Sequence, residues 1–92
     1  MTVADTIREK LTVALAPAEL QIEDESARHA GHAGAEPGGE THFRVLVVSS
    51  AFDGLPRVAR HRQVYALLGK ELAAGVHALA LTTLTPQEAL RG

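Results

Sequence analysis

The first quarter of the chain changes from a helical to an alternating pattern of apolar positions. Apolar residues recur every three or four positions over residues 3–15, which predicts an amphipathic helix. The stripe consists of Val3, Ile7, Leu11, Ala14 and Leu15. Thr2 is a suitable N-cap, and Pro17 follows the predicted end of this helix. Leu20 and Ile22 then alternate with polar neighbours, which predicts a strand that is buried on one side.

The middle of the chain contains a glycine-rich stretch followed by the most apolar segment. Residues 26–39 are rich in Gly, Ala and His, a composition typical of a mobile loop. Loops of this length in small domains are usually functional or disordered. Residues 40–49 form the strongest predicted strand, with Phe43, Val45 and Val47 on one face. Its other face is apolar too, which predicts a central strand.

The last part of the chain predicts a helix, a third strand and a short final helix. Pro56 fits the first turn of the helix, and Gly75 is a natural stop after it. The apolar stripe between them is Val58, Val64 or Tyr65, Leu68 and Leu72. Residues 77–83 then predict a strand, and Thr-Pro-Gln-Glu at 85–88 forms a capping box that opens the final helix.

This α-β-β-α-β-α order predicts the fold class. The elements suit an α+β sandwich, in which a three-stranded mixed sheet has its helices on one face. A length of 92 residues fits one domain over 1–92. Asp5 and Glu9 interrupt the start of the chain, so we expect neither a signal peptide nor a transit peptide. No segment approaches the ~20 apolar residues of a membrane span, and we expect a cytoplasmic protein.

Composition restricts the chemistry that the chain can perform. The chain has no cysteine, so it has no disulfide, no cysteine-based zinc site and no thiol nucleophile. Any metal chemistry must therefore use carboxylates or imidazoles. The imidazoles available are those of His29, His32, His42, His61 and His77. A net charge of -2 argues against a protein that coats nucleic acid, but it leaves room for a local basic patch.

Six short motifs occur in a fixed order along the chain. They are Asp24-Glu25-Ser26, Gly39-Glu40-Thr41-His42-Phe43, Val47-Val48-Ser49, Phe52-x-Gly54, Arg60-His61-Arg62-x-Val64-Tyr65 and Val76-His77-Ala78-Leu79. In this order they resemble the BolA family, and the match extends from about Ile7 to Glu88. The resemblance implies a class II KH-like fold. It also implies two roles: partnership with monothiol glutaredoxins around a 2Fe-2S cluster, and transcription regulation with DNA binding.

The resemblance further implies a set of ligands. Family members have either Cys or His in the loop between the first two strands, and this cysteine-free chain resembles the His type. His29 matches the loop ligand, and His77 matches the family's invariant histidine. His32 is an alternative loop ligand, because it lies three residues further on. The competing interpretation is that the loop histidines are solvated and that His77 is half-buried and bonded to a backbone carbonyl.

Two imidazoles are too few for such a cluster, because its two irons need four terminal ligands. The family suggests that the remaining thiolates are the active-site cysteine of a glutaredoxin and the cysteine of a bound glutathione. We therefore expect a cluster shared between proteins and no cofactor in the isolated chain.

A run of basic residues near the start of the second predicted helix supports a different function. The run consists of Arg57, Arg60, His61 and Arg62, and no acidic residue interrupts it. Arginine donors at a helix N-terminus suit phosphate, so this helix is the candidate DNA-binding surface. Reversing the charge of Arg60 and Arg62 is then expected to abolish DNA binding without changing the fold. The alternatives are a docking surface for glutaredoxin or glutathione carboxylates, and a solvated face paired with residues 23–25.

Enzymatic motifs are missing from the sequence. There is no P-loop, no dinucleotide-binding fingerprint and no nucleophile elbow around any serine. Gly-His-Ala-Gly at 31–34 matches the G-x-x-G of KH domains but lies between predicted strands rather than between helices. We expect a non-enzymatic adaptor that uses His29 and His77. The alternative is a DNA-binding transcriptional regulator.

Overall fold

The structure is a computed structural model that describes residues 2–25, 42–76 and 78–91. The predicted loop 26–39 and His77 lie outside the described residues. The elements are α1 (Val3–Leu15), β1 (Glu19–Asp24), β2 (His42–Val48), a 3-10 turn (Ser50–Phe52), α2 (Arg57–Leu67), α3 (Gly69–Ala74), β3 (Ala78–Leu84) and α4 (Pro86–Leu90). No helix in these ranges is long and apolar enough to cross a membrane.

β2 is the centre of a three-stranded sheet with the order β1-β2-β3. β1 pairs with β2 antiparallel, and β3 pairs with β2 parallel. The parallel pair requires a crossover, which α2 and α3 provide. The predicted mixed sheet and its central strand are confirmed. β3 ends at Leu84, one residue beyond the predicted end.

One apolar cluster between the helices and the inner face of the sheet forms the core. Its buried members are Ile7, Leu11, Leu15, Phe43, Val45, Val47, Phe52, Val64, Leu68 and Val76. The strand residues of this cluster alternate along β2, so they share one face. The other face of β2 includes the exposed Arg44. In α1 the predicted stripe is confirmed except at Ala14, which is exposed.

The second predicted helix differs from its prediction in two ways. Val58 is 62% exposed and Tyr65 39% exposed, so neither belongs to the buried face. The buried positions are Arg60, Val64 and Leu68, which recur at intervals of four. The helix is also divided, because Leu68 separates α2 from α3 with φ -102° and ψ 17°.

The ends of the helices follow the local sequence. Thr2 caps α1, as predicted, and the structure adds a capping box with Asp5. The predicted capping box of Thr85 and Glu88 opens α4. Pro56 is the N-cap of α2 rather than a residue of its first turn. Gly75 ends α3 with a positive φ of 142°, a conformation that favours glycine.

Candidate functional site

One end of the sheet brings three chain segments together. β1 ends there, and β2 and β3 both begin there. The backbone N–H of Glu25 donates to the carbonyl of His42 at 2.8 Å, immediately beyond the β1–β2 ladder. His42 is in turn in register with Ala78, the first residue of β3. The end of β1 therefore lies one strand away from the start of β3.

The predicted ligands are adjacent in sequence to this end of the sheet. His29, His32 and His77 themselves lie outside the described residues. The first two occur between Glu25 and His42 in the sequence, and His77 directly precedes Ala78. Within the described ranges, no group of three or more His, Asp or Glu side chains could hold a metal ion. That part of the chain offers no complete metal site of its own.

The basic residues of α2 occupy different environments. Arg60 is only 6% exposed. Its Nε donates to the carbonyl of Leu55 at 2.8 Å, and its Nη1 donates to the carbonyl of Thr83 at 3.2 Å. The guanidinium also forms two hydrogen bonds with the Glu88 carboxylate, at 2.7 and 3.3 Å. We call this set of contacts the Arg60 clamp, because it joins α2 to β3 and to α4.

The Arg60 clamp also lowers the pKa of Glu88, its acidic residue. The hydrogen bond from Arg60 and that from the backbone N–H of Thr85 lower the pKa of Glu88 to about 2. The Arg60 guanidinium further lies 5.9 Å from the centre of the Phe52 ring, a cation–π distance. All of these contacts stabilise a charged pair within the fold.

This geometry corrects the role predicted for Arg60. A guanidinium that is buried and bonded on several sides is not available to a DNA phosphate. Its partner is Glu88 rather than the acidic residues 23–25. Replacing Arg60 by glutamate would place two carboxylates together, so we now expect that charge reversal to disturb the fold.

The other three basic residues of the helix remain accessible. Arg57 and Arg62 are exposed, and His61 is half-buried. The rings of His61 and Tyr65 meet edge to face, with their centres 6.5 Å apart. These residues give the outer side of α2 a positive charge that no described salt bridge neutralises.

A groove lies between α2 and β3. It has a volume of about 170 Å³ and is lined by Arg57 and His61 on one side and by residues 81–84 on the other. We call it the β3 groove. No pattern in the sequence indicates this groove, because its two walls come from elements that are distant along the chain. The burial of Arg60 did have a sequence signal, since Arg60, Val64 and Leu68 are spaced four residues apart.

The comparisons with known proteins agree with this fold. Residues 11–88 match the family model described as BolA-like protein. The chain is 52% identical over 87 residues to "Protein BOLA1, chloroplastic" of Arabidopsis thaliana, which covers 92% of this chain and 54% of that protein. It therefore spans about half the length of that curated relative.

Two further matches cover more of the compared protein. "DNA-binding transcriptional regulator BolA" of Escherichia coli strain K12 is 44% identical over 88 residues, which is 96% of this chain and 80% of that protein. The solved structure of BolA1 from Arabidopsis thaliana has a TM-score of 0.86 and 50% sequence identity, with 96% of each chain covered.

Proposed function

The chain belongs to the BolA-like protein family, and on that premise we propose that it is a non-enzymatic adaptor of a monothiol glutaredoxin. The two proteins would share a labile 2Fe-2S cluster. His77 would be one ligand from this chain and His29 the other, with His32 as the alternative loop ligand. Thiolates from glutaredoxin and glutathione would complete the four terminal positions.

The observation that supports this proposal is the register at one end of the sheet. Glu25 and His42 are joined by a backbone hydrogen bond, and His42 is in register with Ala78. The sequence that contains both loop histidines thus starts one strand away from β3 and ends beside it, and His77 directly precedes β3 in the sequence. The donor set agrees with this arrangement, because a chain without cysteine can supply only imidazole or carboxylate. Imidazole in place of thiolate raises the reduction potential of such a cluster.

The test is a titration of the purified chain into glutaredoxin that carries its cluster and glutathione, followed by visible circular dichroism. We expect the isolated chain to be colourless and the mixture to show a new spectrum. His77→Ala should abolish the change. His29→Ala should be milder, and the double variant His29→Ala with His32→Ala should match the loss caused by His77→Ala.

The matched control is His61→Ala, which removes an imidazole from α2, far along the chain from the predicted ligands. It should leave the spectral change intact. If none of the variants at 29, 32 and 77 alters the spectrum, the ligand assignment is wrong. A coloured cluster in the isolated chain would contradict the shared site. Because imidazole must be neutral to bind metal, the spectral change should weaken as the pH falls through about 6.5.

A second candidate function is DNA binding in transcription regulation. It is supported by the similarity to the Escherichia coli DNA-binding transcriptional regulator and by the exposed Arg57 and Arg62 of α2. His61 is the third candidate contact, whereas the buried Arg60 is not one. The affinity should fall steeply with salt, because each phosphate contact releases counterions.

The test of this candidate is fluorescence anisotropy with labelled duplex DNA at low and moderate salt. The double variant Arg57→Glu with Arg62→Glu should lose binding while its circular dichroism stays unchanged, since both side chains are exposed. Arg8→Glu changes the charge at an exposed position of α1 and serves as the control. Equal loss in the control would show that only net charge matters, and no binding at low salt would rule out direct DNA recognition.

A further inference from the structure

Among the residues that the structure describes, β3 pairs with β2 on one side, and no strand pairs with its outer edge. The carbonyl of Leu84 accepts from the N–H of Ser49, which follows β2, whereas the carbonyl of Thr83 accepts from Arg60 on the α2 side. Because backbone groups of successive strand residues point in opposite directions, those of Leu79 and Leu81 point outward with Thr83. Within the described ranges, no backbone hydrogen bond reaches these outward groups.

The two edges of the sheet differ in charge. β1 includes Glu19, Glu23 and Asp24, and charged residues on an edge strand discourage pairing with other chains. β3 has the sequence Ala-Leu-Ala-Leu-Thr-Thr-Leu, with neither a charge nor a proline. The sequence of β3 thus lacks the charges and the proline that protect many edge strands. Arg60 of α2 already binds the Thr83 carbonyl, so the part of the edge on which a further strand could add is that of Leu79 and Leu81.

The β3 groove follows this open edge. Four consecutive residues, 81–84, line the groove, and consecutive strand residues point to opposite faces of the sheet. A groove that contacts all four therefore runs along the edge of the strand rather than across one face. Its opposite wall contains Arg57 and His61, so the charge beside the open edge is positive.

We propose that the β3 groove binds an extended acidic peptide of a partner protein as a fourth strand beside β3. Main-chain hydrogen bonds to the outward groups of Leu81, which lines the groove, and of Leu79, on the same edge beyond the groove, would hold the peptide, as in other cases of strand addition. Carboxylates on alternate peptide residues would face Arg57 and His61. This binding site uses neither the predicted cluster ligands nor a metal, so it is independent of the proposed cluster role. It shares Arg57 and His61 with the DNA-binding candidate, which the oligothymidine test below distinguishes.

Two other occupants fit the groove less well. Single-stranded nucleic acid binds to grooves that combine aromatic stacking surfaces with several basic residues. The residues lining the β3 groove include no Phe, Tyr or Trp and only two basic side chains. A second copy that paired through its own β3 would bring the two Arg57 side chains towards each other, and like charges repel.

The experiment is a titration of the isotope-labelled full chain with a capped seven-residue peptide in which glutamate alternates with valine. No glutaredoxin, iron or glutathione is present. Binding is followed by amide chemical shifts and by hydrogen exchange. We expect the Leu79 and Leu81 amides to gain protection on binding. The Ala80 amide should not change, because it points towards β2.

Peptide and protein variants test the two kinds of contact separately. A peptide methylated on every backbone nitrogen should not bind, and a peptide with lysine in place of glutamate should bind at least about tenfold more weakly. Arg57→Glu in the protein should also weaken binding by about tenfold. The control Arg8→Glu makes the same change of charge at an exposed position of α1 outside the groove and should leave the affinity unchanged.

Four outcomes would overturn the proposal. The first is no binding at millimolar peptide, and the second is binding that backbone methylation does not affect. The third is protection of Leu81 by an oligothymidine but not by the peptide, which would make the groove a nucleic-acid site. The fourth is protection that rises with protein concentration alone, together with self-association in sedimentation, which would show that a second copy covers the edge.

Discussion

The Arg60 clamp makes a specific prediction about stability. Arg60→Met keeps a long side chain but removes the charge and all of the donors that bind the Leu55 carbonyl, the Thr83 carbonyl and Glu88. Arg62→Met makes the same chemical change two residues away, at an exposed position with no hydrogen bond in the described structure. The pair of variants therefore separates the clamp from the general effect of losing an arginine.

The magnitude follows from the partners that lose their donor. Hydrogen bonds that involve a charged group contribute about 1.5–3 kcal/mol net, and a buried acceptor left unpaired costs about 1–3 kcal/mol. These terms overlap, and the apolar methionine offsets part of the loss because the site is buried. We expect Arg60→Met to lower the free energy of unfolding by about 2–4 kcal/mol. The exposed Arg62→Met should change it by less than about 0.5 kcal/mol.

The assay is urea unfolding followed by far-ultraviolet circular dichroism. With a denaturant dependence of about 2 kcal/mol per molar, the midpoint of Arg60→Met should fall by about 1–2 M while the slope stays constant. The midpoint of Arg62→Met should stay close to that of the parent chain. If the two variants unfold at the same urea concentration, the clamp does not stabilise the fold, and Arg60 would again be a candidate for phosphate contact.

Three further predictions concern stability. Arg60 and the Thr85 amide lower the pKa of Glu88 to about 2, below the ordinary carboxyl value of about 4.3, so the folded state binds fewer protons here than the unfolded state. The stabilisation that ionised Glu88 contributes is complete at pH values above the ordinary pKa and should disappear as the pH falls towards 2. The urea midpoint of Glu88→Gln should therefore not show this pH dependence. The Ser49 hydroxyl donates to the Leu15 carbonyl at 2.6 Å, so Ser49→Ala should cost about 1–2 kcal/mol in the same urea assay, and an unchanged midpoint would contradict this. Ala16 has a left-handed φ of 42°, so Ala16→Gly should raise the thermal midpoint through a gain of about 0.5–1 kcal/mol, whereas a lower midpoint would show that the strain is relieved in another way.

Features that depend on neighbouring residues were predictable from the sequence. The N-cap of α1, the capping box of α4, the limits of α1 and the central position of β2 follow from short patterns. The burial of Arg60 was not predicted, because the partners that make it favourable are 23 and 28 residues away. An isolated arginine is costly to bury, so residue type alone assigns it to the surface. The exposed Val58 shows the reverse error, because an apolar residue at helical spacing need not face the core.

The candidate sites also differ in how far the sequence alone predicts them. The predicted ligands His29, His32 and His77 came from the resemblance to a family, and their assignment remains a prediction. The β3 groove required the structure, because no sequence pattern shows that the outer edge of β3 faces α2. Two of its lining residues, Arg57 and His61, are also predicted contacts to phosphate. The structure shows that the edge of β3 lies beside these two residues, which is why we propose an extended peptide rather than a phosphate as their ligand.

The contact between His61 and Tyr65 has a practical consequence for spectroscopy. The chain contains one tyrosine and no tryptophan, so fluorescence excited at wavelengths where phenylalanine does not absorb comes from a single ring. That ring lies 6.5 Å from the imidazole of a residue that lines the β3 groove. A ligand that displaces His61 changes the surroundings of this single tyrosine. The unmodified chain thus contains its own optical probe, positioned at the outer wall of the groove.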